Sequence, residues 1–89
     1  MHEVIWTEYF KHQAQLRGFE LSTVEQIVRF SDERYVDTVT HRLIVVGRHG
    51  SRLVMVPYEQ DGDTTTPVTI HATTRQQITF RLRTGRFRV

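Results

Sequence analysis

The stretch RLIVVGRHGSRLVMVPY, residues 42–58, decides the fold because it predicts two adjacent strands of a sheet. Residues 42–48 are almost continuously apolar, which is typical of a central strand buried on both faces. The His-Gly-Ser sequence at residues 49–51 predicts a hairpin turn, and residues 52–58 predict the returning strand. We therefore expect an antiparallel sheet with this hairpin at its centre.

Two helices are predicted on the N-terminal side of the hairpin. Thr7 is a candidate N-cap for a helix that extends to Arg17 and is followed by a glycine. The capping-box sequence Ser-Thr-Val-Glu at residues 22–25 predicts the start of a second helix, which ends near residues 31–32. From Arg34 the apolar period changes to two, so a further strand is expected before the hairpin.

The sequence after the hairpin predicts a last strand, followed by a segment that fits either a helix or a strand. Residues 68–72 alternate as a strand, which places Ile70 on one face and His71 on the other. Residues 75–84 fit either a helix capped by the preceding threonines or a continuation of alternating strand, and periodicity leaves both open. The sheet is expected to be a meander of three or four strands.

The composition predicts one soluble domain spanning residues 1–89, with 38% apolar and 25% charged residues. No apolar run is long enough to cross a bilayer and the N-terminus lacks a signal-peptide pattern, so we expect a cytoplasmic protein without a membrane partner. The absence of cysteine excludes disulfides and thiolate metal sites. His41 and His49 are too far apart along one strand to chelate an ion, and neither a metal nor a cofactor is expected.

Charge is distributed unevenly along the chain. All ten acidic residues lie at or before Asp63, whereas the segment after it contains five arginines and no acid. The five are Arg75, Arg81, Arg83, Arg86 and Arg88. A cationic segment of this kind favours an anionic partner, either a phosphate backbone or an acidic protein surface.

Several short features occur in a characteristic order. They are Trp6 before the first helix, residues 17–22 between the helices, Phe30-Ser31-Asp32 after the second, Arg42 and Gly47 in the central strand, residues 54–58, and residues 70–75. In this order and spacing the chain resembles the BrnT-like toxins of bacterial type II toxin–antitoxin pairs, and it is similar to small RelE-like proteins of the same layout. It departs from the BrnT-like pattern at Thr7, where Asp is usual, at His71, where Arg is usual, and at Gln76 and Gln77, where an acid is expected.

The resemblance implies an α+β fold of two N-terminal helices, a twisted antiparallel sheet of three to four strands, and a C-terminal helix. It therefore favours a helix after Thr74. It also implies metal-independent RNA cleavage that a cognate antitoxin protein holds in check, so RNA and an antitoxin are the expected partners.

Metal-free RNA cleavage needs a group that removes the 2′-hydroxyl proton and a cation that stabilises the extra charge on phosphorus. Imidazole suits the proton transfer near neutral pH, and guanidinium offers two parallel donors to a phosphate. His71 and Arg75 supply both groups at neighbouring positions, which leads to the hypothesis that a phosphate lies between them. Tyr58 and Arg48 are further candidate catalytic residues. The predicted nucleic-acid contacts are Arg52, Arg81, Arg83 and Arg86.

Other interpretations remain open at this point. A lone histidine at a strand end is often only a surface or structural residue, and the arginines can form a solvated face. Under one of these interpretations the chain is a non-catalytic module that binds RNA or protein. Under another it is a subunit of a larger assembly that docks through exposed Phe80 and Phe87. A homodimer is also left open. Phe30 is expected in the core, together with Trp6 and Phe10.

Overall fold

The seven strands found in residues 2–89 form one mixed sheet around the predicted hairpin. The structure is a computed structural model, and residues 2–89 are those it describes. The strands are β1 Glu3–Val4, β2 Glu33–Asp37, β3 Leu43–His49, β4 Arg52–Asp61, β5 Thr64–Pro67, β6 His71–Thr73 and β7 Phe87–Arg88. The helices are α1 Glu8–Leu16, α2 Leu21–Phe30 and α3 Arg75–Arg83. The α+β class is therefore confirmed, with more strands than the three or four expected.

The strand order is β1-β5-β4-β3-β2-β7, and β6 pairs with β4 beside β5. The central β3–β4 hairpin is confirmed, with Val45 opposite Val56 and a left-handed Gly50 in its turn. The expectation of a purely antiparallel sheet is wrong, because β1 pairs with β5 in parallel. β1 and β7 each have only two residues, which is too few to produce an alternating apolar pattern in the sequence.

The first two helices cover one face of the sheet. The side chain of Thr7 accepts a hydrogen bond from the backbone N–H of Phe10 at 3.0 Å, which confirms the predicted N-cap of α1. The predicted capping box of α2 is wrong, because the helix begins two residues earlier, with Glu20 rather than Ser22 at the N-cap position and no side-chain cap bond. Phe30 is also not in the core: 67% of its surface is exposed at the end of α2.

The segment after Thr74 is a helix, so the ambiguity of residues 75–84 is resolved in favour of α3. The side chain of Thr74 accepts from the backbone N–H of Gln77 at 3.1 Å and fixes the first turn. α3 lies on the face of the sheet opposite to α1 and α2, where its buried residue Ile78 joins a second apolar cluster. Phe87 belongs to this cluster and is only 1% exposed, so the predicted docking patch of Phe80 and Phe87 does not form.

The sheet thus has a core on each face. The larger core lies between the sheet and the first two helices, and the smaller lies under α3. Gly47 allows α2 to approach the sheet closely, since a Cβ at this position would lie 2.6 Å from Cγ2 of Ile27. Within residues 2–89, the helices are too short or too polar to traverse a bilayer.

Candidate functional site

An open cleft of about 570 Å³ lies on the α3 face of the sheet, and we call it the His71 cleft. Its polar wall is formed by Arg42, His71, Thr73, Gln77, Arg81 and Arg86. Its floor includes the apolar side chains of Ile44, Met55 and Pro57, and Asp37 is its acidic lining residue. The cleft therefore combines an apolar floor with a mainly cationic rim.

β6 places His71 on the wall of this cleft. His71 is paired with Met55 of β4, and because directly paired residues of antiparallel strands point to the same face, the imidazole lies on the α3 side. This confirms the face predicted from strand alternation. The side chain is half-buried, so a ligand in the cleft can reach it.

Arg17 contacts His71 from the end of α1. One nitrogen of Arg17, Nη1, donates to the backbone carbonyl of Ile70 and lies 3.4 Å from Nδ1 of His71. Because guanidinium can only donate, this contact favours the neutral tautomer of His71 in which Nδ1 accepts and Nε2 carries the proton. Burial and the nearby charges of Arg17 and Arg81 lower the pKa of His71, so its imidazole is uncharged at neutral pH.

Arg81 is held at the cleft by two contacts with uncharged groups, a methionine sulfur and an aromatic ring. Its guanidinium nitrogen Nη1 lies 3.2 Å from the sulfur of Met55, and its guanidinium carbon lies 5.3 Å from the centre of the Phe87 ring. Neither contact neutralises the charge, and none of the ion pairs formed within residues 2–89 includes Arg81. Arg81 therefore presents a full positive charge to the cleft.

Gln77 adds a hydrogen-bond donor beside Arg81. The hydroxyl of Thr73 donates to the side-chain carbonyl of Gln77 at 3.0 Å, which orients the amide. The amide N–H groups of Gln77 are then left for a ligand. Thr73, Gln77 and Arg81 thus line up along the α3 side of the cleft.

Arg75 does not join His71. Its guanidinium forms a bidentate pair with the carboxylate of Glu33 on β2, at 2.5 and 2.6 Å. Glu33, Val46, Met55 and His71 occupy one row across four neighbouring strands, so Glu33 lies three strand spacings, about 14 Å, from His71. The predicted phosphate site between His71 and Arg75 is therefore not formed.

Tyr58 and Arg48 also lie apart from His71. Tyr58 is on the opposite face of the sheet and 5% exposed, and its hydroxyl accepts a hydrogen bond from Arg34 at 3.1 Å. Arg48 is exposed on the α3 face, but it pairs with Leu53 near the hairpin end and does not line the cleft. The structure thus places one of the four predicted catalytic residues, His71, in the cleft.

Of the four predicted nucleic-acid contacts, two line the cleft and two do not. Arg81 and Arg86 line the cleft, but Arg86 forms an ion pair with Asp37 at 2.8 Å. Arg52 lies at the hairpin end of β4, where it donates to the backbone carbonyls of Arg17 and Gly18, just after α1, and lies 4.1 Å from the centre of the Phe19 ring. Arg83 is exposed on the outer side of α3.

The idea that the C-terminal arginines face no acid is correct for the sequence nearby and wrong for the folded chain. β2 supplies both missing acids, Glu33 to Arg75 and Asp37 to Arg86. The hydrogen bond from Arg86 lowers the pKa of Asp37 to about 2, and the one from Arg75 lowers the pKa of Glu33.

Arg42, the remaining cation of the lining, lies 3.6 Å from the exposed carboxylate of Glu59. Within residues 2–89, Arg81 is therefore the lining cation that has no carboxylate partner, and Arg17 contacts His71 from outside the lining.

Sequence reasoning missed Arg17 and Gln77. The sequence pattern indicates only that Arg17 ends the first helix and opens the link of residues 17–22, and that Gln77 departs from the BrnT-like pattern. Arg17 and His71 are 54 positions apart, so no local pattern connects them. Among residues 2–89, no three His, Cys, Asp or Glu side chains are grouped so that they could hold a metal ion.

In comparisons with known proteins, the chain matches no protein-family model, no curated protein and no solved structure.

Proposed function

We propose that this chain is a metal-independent ribonuclease, the toxin component of a bacterial type II toxin–antitoxin pair. The observation that carries the proposal is the position of His71, half-buried on the wall of an open cleft that Arg81 also lines. Arg17, which is not a lining residue, lies 3.4 Å from Nδ1 of this histidine. The sequence resemblance to BrnT-like toxins supports the same function and implies a cognate antitoxin as the protein partner.

The first step is the binding of a phosphodiester at the cleft. Arg81 supplies a charge that no carboxylate neutralises, and Gln77 supplies neutral donors beside it. Arg17 lies on the other side of His71. A phosphate between these groups receives charge-assisted hydrogen bonds, which are roughly twice as strong as neutral ones.

The second step is the removal of the 2′-hydroxyl proton by His71. The 3.4 Å contact from Arg17 to Nδ1 is long for a hydrogen bond. The charged oxygen of a bound phosphate therefore competes for this donor and leaves Nδ1 free to take the proton. The 2′-oxygen then attacks phosphorus, the bond to the 5′-oxygen breaks, and the 5′-oxygen takes a proton from water. The hydroxide that remains takes the proton from His71, which restores the neutral imidazole. The products are a 2′,3′-cyclic phosphate and a 5′-hydroxyl end.

The low pKa of His71 sets the pH dependence of this reaction. A general base acts in its unprotonated form, and the pKa of His71 is lowered from the ordinary value of histidine. We therefore expect the acidic limb of the pH–rate profile to lie at lower pH than the limb that an unperturbed histidine would give.

The test is incubation of the purified chain with RNA in the presence of EDTA. We expect cleavage with 2′,3′-cyclic phosphate ends, and a loss of at least about 100-fold in rate for His71→Ala, the usual contribution of a general base. His12→Ala is the matched control, because His12 is an exposed histidine on α1, on the opposite face of the sheet. Equal rates for the His71 variant and the wild type would overturn the role of His71.

A second candidate, an RNA-binding module without catalysis, is favoured by the Arg17 contact itself. In the tautomer that accepts from Arg17, His71 offers an N–H donor to a phosphate rather than a base. This function predicts that the chain retards RNA in a gel at low salt without cleaving it. Its binding would then be weakened by Arg81→Gln and also, slightly, by His71→Ala.

A further inference from the structure

Phe80 is an exposed aromatic side chain at the centre of α3. It is 63% exposed, while Ile78, two positions earlier, is buried against the sheet. Two positions along an α-helix correspond to about 200°, so Phe80 points nearly opposite to the core. Packing within the chain therefore does not account for its aromatic ring.

The ring of Phe80 lies in a groove of about 580 Å³, the Phe80 groove. The groove is lined by Gln76, Gln77, Phe80, Arg81, Thr84 and Arg86. Three of these, Gln77, Arg81 and Arg86, also line the His71 cleft, so the two depressions share one wall. A polymer bound in the cleft at Arg81 can therefore continue directly into the groove.

The surroundings of Phe80 are polar on both sides. Beyond the groove, the ring borders a second depression formed with Arg75, Gln76, Thr79 and Arg83. Neither depression has an acidic or aliphatic lining residue. A protein that docked here would have to bury the charge of Arg81, which has no carboxylate partner within residues 2–89, and burying an unpaired charge is costly.

An aromatic ring among cations matches an unpaired nucleobase. Nucleobases stack on aromatic side chains, while arginines on either side bind the flanking phosphates. Duplex RNA does not offer this match, because both faces of its bases are already covered by their neighbours.

We infer that Phe80 is a stacking platform for a base of single-stranded RNA whose phosphate lies at Arg81 in the His71 cleft. The inference deepens the proposed function and rests on it for the identity of the polymer. It assigns single-stranded RNA as the substrate class and the Phe80 groove as a subsite for the nucleotide next to the cleaved bond.

The test measures the binding of a short fluorescent 2′-O-methyl RNA, which lacks the reactive hydroxyl and stays intact, to the full chain at low salt. Loss of one base–aromatic stack weakens binding by about tenfold, so we expect this change for Phe80→Ala. Phe80→Leu should weaken binding almost as much, because leucine retains apolar contact without an aromatic face. Phe80→Trp should retain wild-type affinity.

Phe30→Ala is the matched control, because Phe30 is 67% exposed at the end of a helix on the opposite face of the sheet. It should leave binding unchanged. Because neither phenylalanine carries charge, the salt dependence of binding should be equal in all these variants. A duplex of the same sequence should bind the wild type and Phe80→Ala alike.

The outcomes separate this inference from the proposed catalysis. If Phe80→Ala binds within twofold of the wild type, or if Phe80→Leu restores full affinity, the stacking platform is wrong even if the wild type cleaves RNA. If the Phe80 pattern is observed while natural RNA stays intact, the platform stands and the catalytic proposal is wrong. If the wild type does not bind the single strand, both are wrong. An equal tenfold loss with single-stranded DNA would retain the platform and reject RNA as its specific substrate.

Discussion

Helices α2 and α3 cover opposite faces of the same sheet, but they are held there by different forces. α2 buries three apolar side chains, Val24, Ile27 and Val28, whereas α3 buries only Ile78. Its arginines add further attachments, because Arg75 contacts one acid and Arg81 contacts a sulfur and an aromatic ring on neighbouring strands. α2 is therefore a core helix, and α3 is a helix attached largely through its polar side chains.

The two helices differ in charge as well. α2 carries an internal ion pair, from Arg29 to Glu25 at 2.8 Å, so its cation is neutralised on the same helix. α3 contains no acidic residue, and its cations are neutralised from elsewhere or not at all. An arginine-rich helix with little apolar anchorage thus leaves more of its cations at the surface than a core helix does.

Matched substitutions in the two cores should give the largest effect. Ile27→Ala and Ile78→Ala remove the same atoms beneath α2 and α3, and each should cost about 2–5 kcal/mol. We expect Ile78→Ala to lower amide-exchange protection mainly in α3, because that helix has no other buried residue. Ile27→Ala should lower protection throughout the larger core. If Ile78→Ala reduced protection equally in α2 and α3, the two layers would form one cooperative unit and the comparison would fail.

Acidification should release the C-terminal segment from β2. The hydrogen bond from Arg86 lowers the pKa of Asp37 to about 2, below the value near 4 of an unfolded aspartate. The stabilisation is therefore fully present above pH 4 and is lost as pH falls towards 2. We expect a loss of about 1–2 kcal/mol, reduced by water around the partly exposed Arg86.

The measurement is urea unfolding at pH 6 and pH 3 for the wild type and for Asp37→Asn. The asparagine retains an oxygen for the backbone N–H groups of Val39 and Thr40, which the carboxylate binds at 2.9 and 3.2 Å. The wild type should lose more stability than the variant between the two pH values. Equal losses would show that the pair contributes nothing to stability.

Much of the fold could be predicted because its signals are local. The cap at Thr7 and the apolar strand at residues 43–47 each need only a few neighbouring residues to be recognised. β1 gives no such signal. Its place is fixed by backbone bonds to residues far along the chain, from Glu3 to Asp63 and from Ile5 to Thr65.

The candidate site could be predicted only in part for the same reason. The face occupied by His71 follows from alternation along one short strand, and that prediction was correct. The partner of Arg75 could not be predicted, because Glu33 is 42 positions away and becomes its neighbour only when the sheet forms. Counting charges along the chain thus overstates the number of arginines in the C-terminal segment that lack an acidic partner.

The smallest expected effect concerns Arg75, whose charge is neutralised by Glu33. Glu33→Gln removes the acid that holds Arg75, at a cost to stability below about 1 kcal/mol because Arg75 is largely exposed. The freed guanidinium lies beside Phe80 on the outer side of α3, so it becomes available to a phosphate. We expect tighter binding of single-stranded RNA and a salt dependence steeper by about one phosphate contact. Glu25→Gln removes one acid from α2 but leaves Arg29 in place, because its side chain is only 17% exposed and also donates to the carbonyl of His2, so this variant should change neither quantity. If both variants tightened RNA binding equally, the ligand would respond to net charge alone, and the contrast between the two helices would have no bearing on recognition.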